Sequence, residues 1–179
     1  KRFALDQATT VSDDLGNRYI RARIAQSQSV ISRIEGNLDR AVSDLEFDQG
    51  SVSVDRRMHT ATGYSVIQRA LNCIQVEDLS RAEGLLQHWE PLDMHPSLLE
   101  DVVTFRKHVM LGRILRFKGA CEESLAHLDK ARKIAEHHGK FKELCFEEDF
   151  SDLICERADT LRELRKYASA EQLLRSELG

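Results

Sequence analysis

The chain has 179 residues, of which 41% are hydrophobic and 31% charged, with two prolines, nine glycines and a formal net charge of −4. That is long enough for one continuous core and too apolar for a disordered tail. No run of about 20 apolar residues offers a membrane span. An acidic balance argues against a general nucleic-acid binder, because holding phosphates requires cations presented together.

In chain order, the start Lys1-Arg2-Phe3-Ala4-Leu5 does not read as a signal peptide, and opening on Lys rather than Met predicts a fragment or processed chain. Residues 1–12 read as a helix remnant, and Asp13 or Asp14 is placed to cap a helix running to about residue 35. Its partner is expected over 38–47, followed by a loop at Asp48-Gln49-Gly50-Ser51-Val52-Ser53. A helix over 55–76 pairs with one over 79–90, and Pro91 to Pro96 breaks the chain. Ser97 with Glu100 has the form of a capping box, opening a helix to Phe117 that pairs with 121–138. After Gly139 a helix over 140–164 pairs with 167–178. No stretch alternates as a strand does, so the fold class is all-α, and no linker marks a boundary within 1–179. Leu173, Leu174 and Leu178 leave an apolar face with nothing after them. The protein is expected to continue there, or that end to pack on another chain, a second copy included.

These helices repeat. The first helix of each pair carries a small residue at Ser29, Ala70, Gly112 or Ala158, and the second at Ala41, Ala82, Ser124 or Ala170. Every interval is 12 residues. Antiparallel helices approach closely only where facing side chains are small, and a fixed turn length fixes the interval. Other apolar positions keep register: Leu38, Leu79, Cys121 and Tyr167 before the second small residue, and Leu45, Leu86, Leu128 and Leu174 after it. The turns contain Gly36, Glu77-Asp78, Gly119 and Arg165-Lys166, and the two glycines suit a left-handed helix end.

This skeleton resembles the tetratricopeptide repeat. The third copy is closest: His108-x-x-Leu111-Gly112-x-x-Leu115-x-x-x-Gly119-x-Cys121-x-x-Ser124-x-x-x-Leu128-x-x-Ala131. The copies run over about 22–53, 63–96, 105–139 and 151–179, and Trp89 stands where the family usually has Ala. Successive copies lie 41, 42 and 46 residues apart, counted from Ala41, Ala82, Ser124 and Ala170, against about 34 in the common form. Long periods are similar to the kinesin light chain-like branch. The phrasing around Arg81-Ala82-Glu83 and Glu123-Ser124-Leu125-Ala126-His127-Leu128 is also similar to the C-terminal arrays of fungal NLR-like (STAND) proteins. The resemblance implies a right-handed α-α superhelix of about four hairpins serving as an intracellular, cytoplasmic scaffold for a protein or peptide partner. The alternative is self-association or intramolecular packing with no separate ligand.

In such arrays the first helix of each hairpin lines the concave groove. By position the lining would be Arg23, Gln26, Val30 and Arg33; then Tyr64, Ile67, Leu71 and Ile74; then Arg106, Val109, Arg113 and Arg116; then Asp152, Cys155, Asp159 and Arg162. The second copy supplies apolar burial. The third supplies a row of arginines suited to an acidic or C-terminal carboxylate segment. The Lys/Asn clamp of chaperone-binding members is not reproduced, since Ile67, Gln68, Leu71, Arg106 and Met110 stand there. Charge is also segregated, with a basic excess from Arg106 to Lys140 and an acidic one from Glu143 to Glu163. Either neighbouring repeats complement each other, or a groove has a basic and an acidic wall.

Chemistry is not expected. No GxSxG, GxGxxG, P-loop or HExxH is present, so neither catalysis nor a cofactor is indicated. His137-His138 diverge around a helix, His88 lies beside Trp89, and Glu147-Glu148-Asp149 fan around their helix, so no metal ligand set forms. Cys73, Cys121, Cys145 and Cys155 are dispersed without CxxC spacing and read as reduced thiols, Cys73 and Cys121 being core residues. RNA binding at the arginine-rich third copy is weakly indicated, because no aromatic residues interleave there to stack bases.

Overall fold

The structure is a computed structural model and describes residues 18–43, 56–92, 97–137, 141 and 147–178. The expected 1–12 helix remnant, the Asp13/Asp14 cap, the 48–53 loop, Leu45, His138, Gly139 and Cys145 lie outside the described residues, as do the side chains of Glu147, Glu148 and Leu178. Every element among the described residues is helical: α1 Arg18–Ile34, α2 Leu38–Ser43, α3 Arg56–Gln75, α4 Leu79–Gln87, α5 Leu98–Phe117, α6 Cys121–His137, α7 Glu147–Glu163 and α8 Tyr167–Leu178. The chain divides into two compact units, 1–94 and 95–179. The division falls within the segment bounded by Pro91 and Pro96. Proline restricts the backbone of the residue before it as well as its own, and it ends helices there.

In the first unit α1 packs on α2, α3 on α4, and α1 on α3; in the second α5 packs on α6, α7 on α8, and α7 on both α5 and α6. All eight small residues are buried, as close helix approach requires. Two hairpins add a hydroxyl-to-carbonyl bond at that point. Ser29 Oγ donates to the Ala41 carbonyl at 2.6 Å, and Ser124 Oγ to the Gly112 carbonyl at 2.8 Å. The next hairpin extends each contact: Asn72 Nδ2 donates to Ser29 Oγ at 3.4 Å, and Thr160 Oγ1 lies 3.1 Å from Ser124 Oγ. At Gly112 a Cβ would come within 2.6 Å of Leu128 Cγ, so only glycine admits that leucine.

The turns explain the 12-residue interval. Seven residues after the first small residue, each chain enters the left-handed region: Gly36 at φ 76°, Glu77 at 62°, Gly119 at 79° and Arg165 at 58°. The following amide closes the helix by bonding back, as in Asn37 to Ser32, Asp78 to Cys73, Ala120 to Leu115 and Lys166 to Leu161, at 2.8–2.9 Å. That same residue then starts the second helix, its carbonyl accepting from Ala41, Ala82, Ser124 or Ala170 four residues on. One residue thus finishes one helix and begins the next, leaving no slack. Asn37 and Asp78 also accept from the amides of Arg40 and Arg81, both at 3.1 Å, as N-caps do. Ser97 and Glu100 form the expected capping box at the start of α5.

Glu77 and Arg165 hold a conformation that costs a side chain-bearing residue about 1–2 kcal/mol. Glu77→Gly or Arg165→Gly should therefore raise stability by about 1 kcal/mol, and Gly119→Ala should lower it by a similar amount. A Cβ at Gly119 meets nothing within 4 Å, so the dihedral alone sets that cost. Urea unfolding midpoints read all three, and a loss on introducing glycine would contradict the assignment.

Each unit has its own aromatic anchor. In the first, buried Trp89 stacks on His59 at 5.3 Å and donates to its carbonyl at 3.3 Å. In the second, Phe105, Phe141 and Phe150 cluster with centroids 5.3, 5.6 and 6.2 Å apart. Cys73 and Cys121 are buried free thiols, as expected of core residues, and Cys155 is exposed. No described helix is long and apolar enough to cross a membrane.

Candidate partner-binding face

The expected groove residues separate into three groups. Ile67 and Val109, expected to line the groove, are instead core residues, 2% and 5% exposed. Each stands three positions before the small residue of its helix, which puts it on the same packed face. Tyr64, Leu71 and Ile74 are half-buried on α3 and offer apolar surface. Their spacing of seven and three keeps them on one face of the helix.

The arginines form the third group. Arg106, Arg113 and Arg116 meet their acids within the chain. Arg106 grips Asp149 with two bonds, at 2.9 and 2.7 Å. Arg113 Nε bonds Glu156, and its terminal nitrogen lies 3.3 Å from Asp152. Arg116 reaches Glu156 at 3.0 Å, Glu163 at 3.0 Å and Asp159 at 4.0 Å. Of the two readings of the charge segregation, neighbouring repeats complementing each other is the one this ladder realises. Its centre is sheltered, with the side chains of Arg116 and Glu156 11% and 7% exposed. Burial pulls the Arg116 guanidinium down, but the bonds and charges of Glu163 and Glu156 outweigh it and raise its pKa overall. A further pair, Arg157 to Asp129 at 2.9 Å, ties α7 to α6. Asp152 is exposed, and Asp159 divides between Arg116 and Arg162, the latter at 3.2 Å.

The first unit carries the same register with different chemistry. Counted from the small residues, Arg33 on α1 corresponds to Arg116 on α5. Gln68, Leu71 and Gln75 on α3 correspond to Glu156, Asp159 and Glu163 on α7. The carboxylates that serve Arg116 are thus replaced by two amides and a leucine. Burial pulls the Arg33 guanidinium down. Gln68 Oε1 is buried without a hydrogen-bond partner. Nearby, Arg23 lies over the Tyr64 ring at 5.9 Å, and Gln26 bridges α1 to α3 by donating to the Ala61 carbonyl at 2.7 Å.

Among the described residues no group of three His, Cys, Asp or Glu is arranged to hold an ion. His108 and His127 pair Nδ1 to Nδ1 at 3.0 Å, one ring donating and the other accepting. Desolvation first, then the charges of His127, Lys107 and Lys130, pull the His108 pKa down to about 3, so its ring is neutral. Compared with protein-family models, curated proteins and solved structures, the chain finds no match.

Proposed function

We propose that this chain is a tetratricopeptide-like interaction scaffold, and that it holds a protein or peptide partner on the α1/α3 face of its first unit. The observation that carries the reading is the contrast between the units. On α5 the groove positions are closed by ion pairs to α7, while on α3 Tyr64, Leu71 and Ile74 stay half-exposed on one face. Apolar burial there supplies affinity at about 25 cal/mol per Å² removed from water. The right-handed superhelix, the intracellular setting and a non-enzymatic role belong to the same proposal. They rest on the repeating hairpins and on the lack of catalytic motifs in the sequence.

The test is a comparison of proteins retained by the full chain and by Leu71→Asp/Ile74→Asp. Both positions are partly exposed, so the double variant should fold while losing partners by more than about tenfold, the equivalent of about 1.4 kcal/mol. A folded variant that retains every partner removes this face from consideration. A second reading has one specific observation behind it. On α8, Tyr167 is 61% exposed, and Leu173 and Leu174 are half-exposed, which suits packing against another copy. Concentration-dependent mass by light scattering, abolished by Leu173→Glu/Leu174→Glu, would favour it.

A further inference from the structure

We infer that the partner presents an acidic segment, and that Arg33 takes its carboxylate where the second unit uses Glu156 of its own chain. This deepens the groove reading above and rests on it. The same position, four residues after the small residue of a first helix, holds arginine in copies one and three. In copy three the neighbouring helix surrounds that arginine with carboxylates at 3.0, 3.0 and 4.0 Å. In copy one the neighbouring helix offers Gln68, Leu71 and Gln75 instead. No ion pair or hydrogen bond serves the Arg33 side chain among the described residues.

A half-buried guanidinium without a counter-charge destabilises the fold that holds it. An aspartate or glutamate arriving from outside would supply that counter-charge with up to two parallel hydrogen bonds. Gln68 Oε1, also without a partner, is an acceptor suited to a backbone amide of the same segment. Leu71 and Ile74 would take apolar side chains flanking the acid. The ligand is therefore an acidic residue set among hydrophobic ones in a peptide segment, and neither a free phosphate nor a nucleic acid provides the apolar part.

Two experiments on the full chain test this. The first needs no ligand. Gln68→Glu places a carboxylate at the position Glu156 occupies in the second unit, and should raise the melting midpoint by about 2–4 °C, whereas the same change in an Arg33→Gln background should lower it. Equal effects in both backgrounds would show that Arg33 does not sense position 68 and would overturn the assignment. In the second, a phage-displayed random peptide library is panned on the wild type and on Gln68→Glu. Wild-type selections should be enriched in Asp and Glu next to apolar residues, and the enrichment should fall on Gln68→Glu, which neutralises Arg33 from within. The best synthetic peptide should bind Arg33→Gln about tenfold more weakly. Peptides that depend on Leu71 and Ile74 but show no acidic bias leave the groove reading standing and sink this one. If no selected peptide depends on Leu71 or Ile74, both fall.

Discussion

Glu156→Gln is expected to destabilise the second unit by about 3 kcal/mol, because it leaves two sheltered guanidiniums short of their central carboxylate. Glu156 accepts from Arg113 Nε, Arg116 Nε and Arg116 Nη2 while its own side chain is only 7% exposed. Asp152 and Glu163 retain part of the attraction, which keeps the loss at the lower end of the range for breaking a buried pair. Urea unfolding followed by helical circular dichroism gives the value. Added salt should change it little, since sheltered pairs are weakly screened. Exchanging the charges, Arg116→Glu with Glu156→Arg, should recover part of the loss. A loss below about 1 kcal/mol would be that of an exposed surface pair and would refute the central place of Glu156. Replacing Arg113 and Arg116 by Glu to probe partner binding would set new carboxylates against Glu156, Asp159 and Glu163, and lost binding would then report an unfolded hairpin.

Gly112→Ala is the second large effect, and its sign should depend on its neighbour. In the native chain the new methyl would stand 2.6 Å from both Cγ and Cδ2 of Leu128, a fully buried side chain that would have to shift. Overpacking of this kind costs about 1–3 kcal/mol, more than the helix propensity gained by replacing glycine. Leu128→Ala alone should cost about 2–5 kcal/mol through the cavity it leaves. Once that side chain is gone, Gly112→Ala should become stabilising by about 1 kcal/mol, since alanine is the better helix former. A double-mutant cycle read by thermal unfolding checks the inversion. If the alanine at 112 costs the same in both backgrounds, Leu128 is not what excludes it.

The hairpins were legible in the sequence because close approach between backbones admits few residue types. Ser29/Ala41, Ala70/Ala82, Gly112/Ser124 and Ala158/Ala170 stood at one interval, and all eight positions are buried. The left-handed turns were legible at Gly36 and Gly119 and not at Glu77 and Arg165. Nothing in the side chains of glutamate or arginine announces a positive φ, and only the register of the turn reveals it. Charge segregation was visible as blocks, but the partner of each arginine depends on how α5 and α7 are rotated about their axes. That rotation follows from the small residues, and Arg116 and Glu156 could have been paired by counting from Gly112 and Ala158. Ile67 and Val109 occupy positions that line a groove by family register, yet they share a face with Ala70 and Gly112, and the same count puts them in the core. The Phe105–Phe141–Phe150 cluster had no periodic signal, because Phe141 reaches it from the segment between two hairpins.

The shared residue that closes one helix and opens the next makes each turn a ruler. Successive residues of an α-helix point about 100° apart, so deleting one residue between Gly112 and Ser124 would swing all of α6 by that angle. Leu125 would then arrive where Ser124 meets Gly112, and a one-residue insertion would bring Glu123 there instead. Length can therefore vary between hairpins, where the intervals already range over 41, 42 and 46 residues, while the turns themselves tolerate neither gain nor loss. Insertions that add reach or new loops to this molecule should be accepted at the joints between hairpins and refused at their tips.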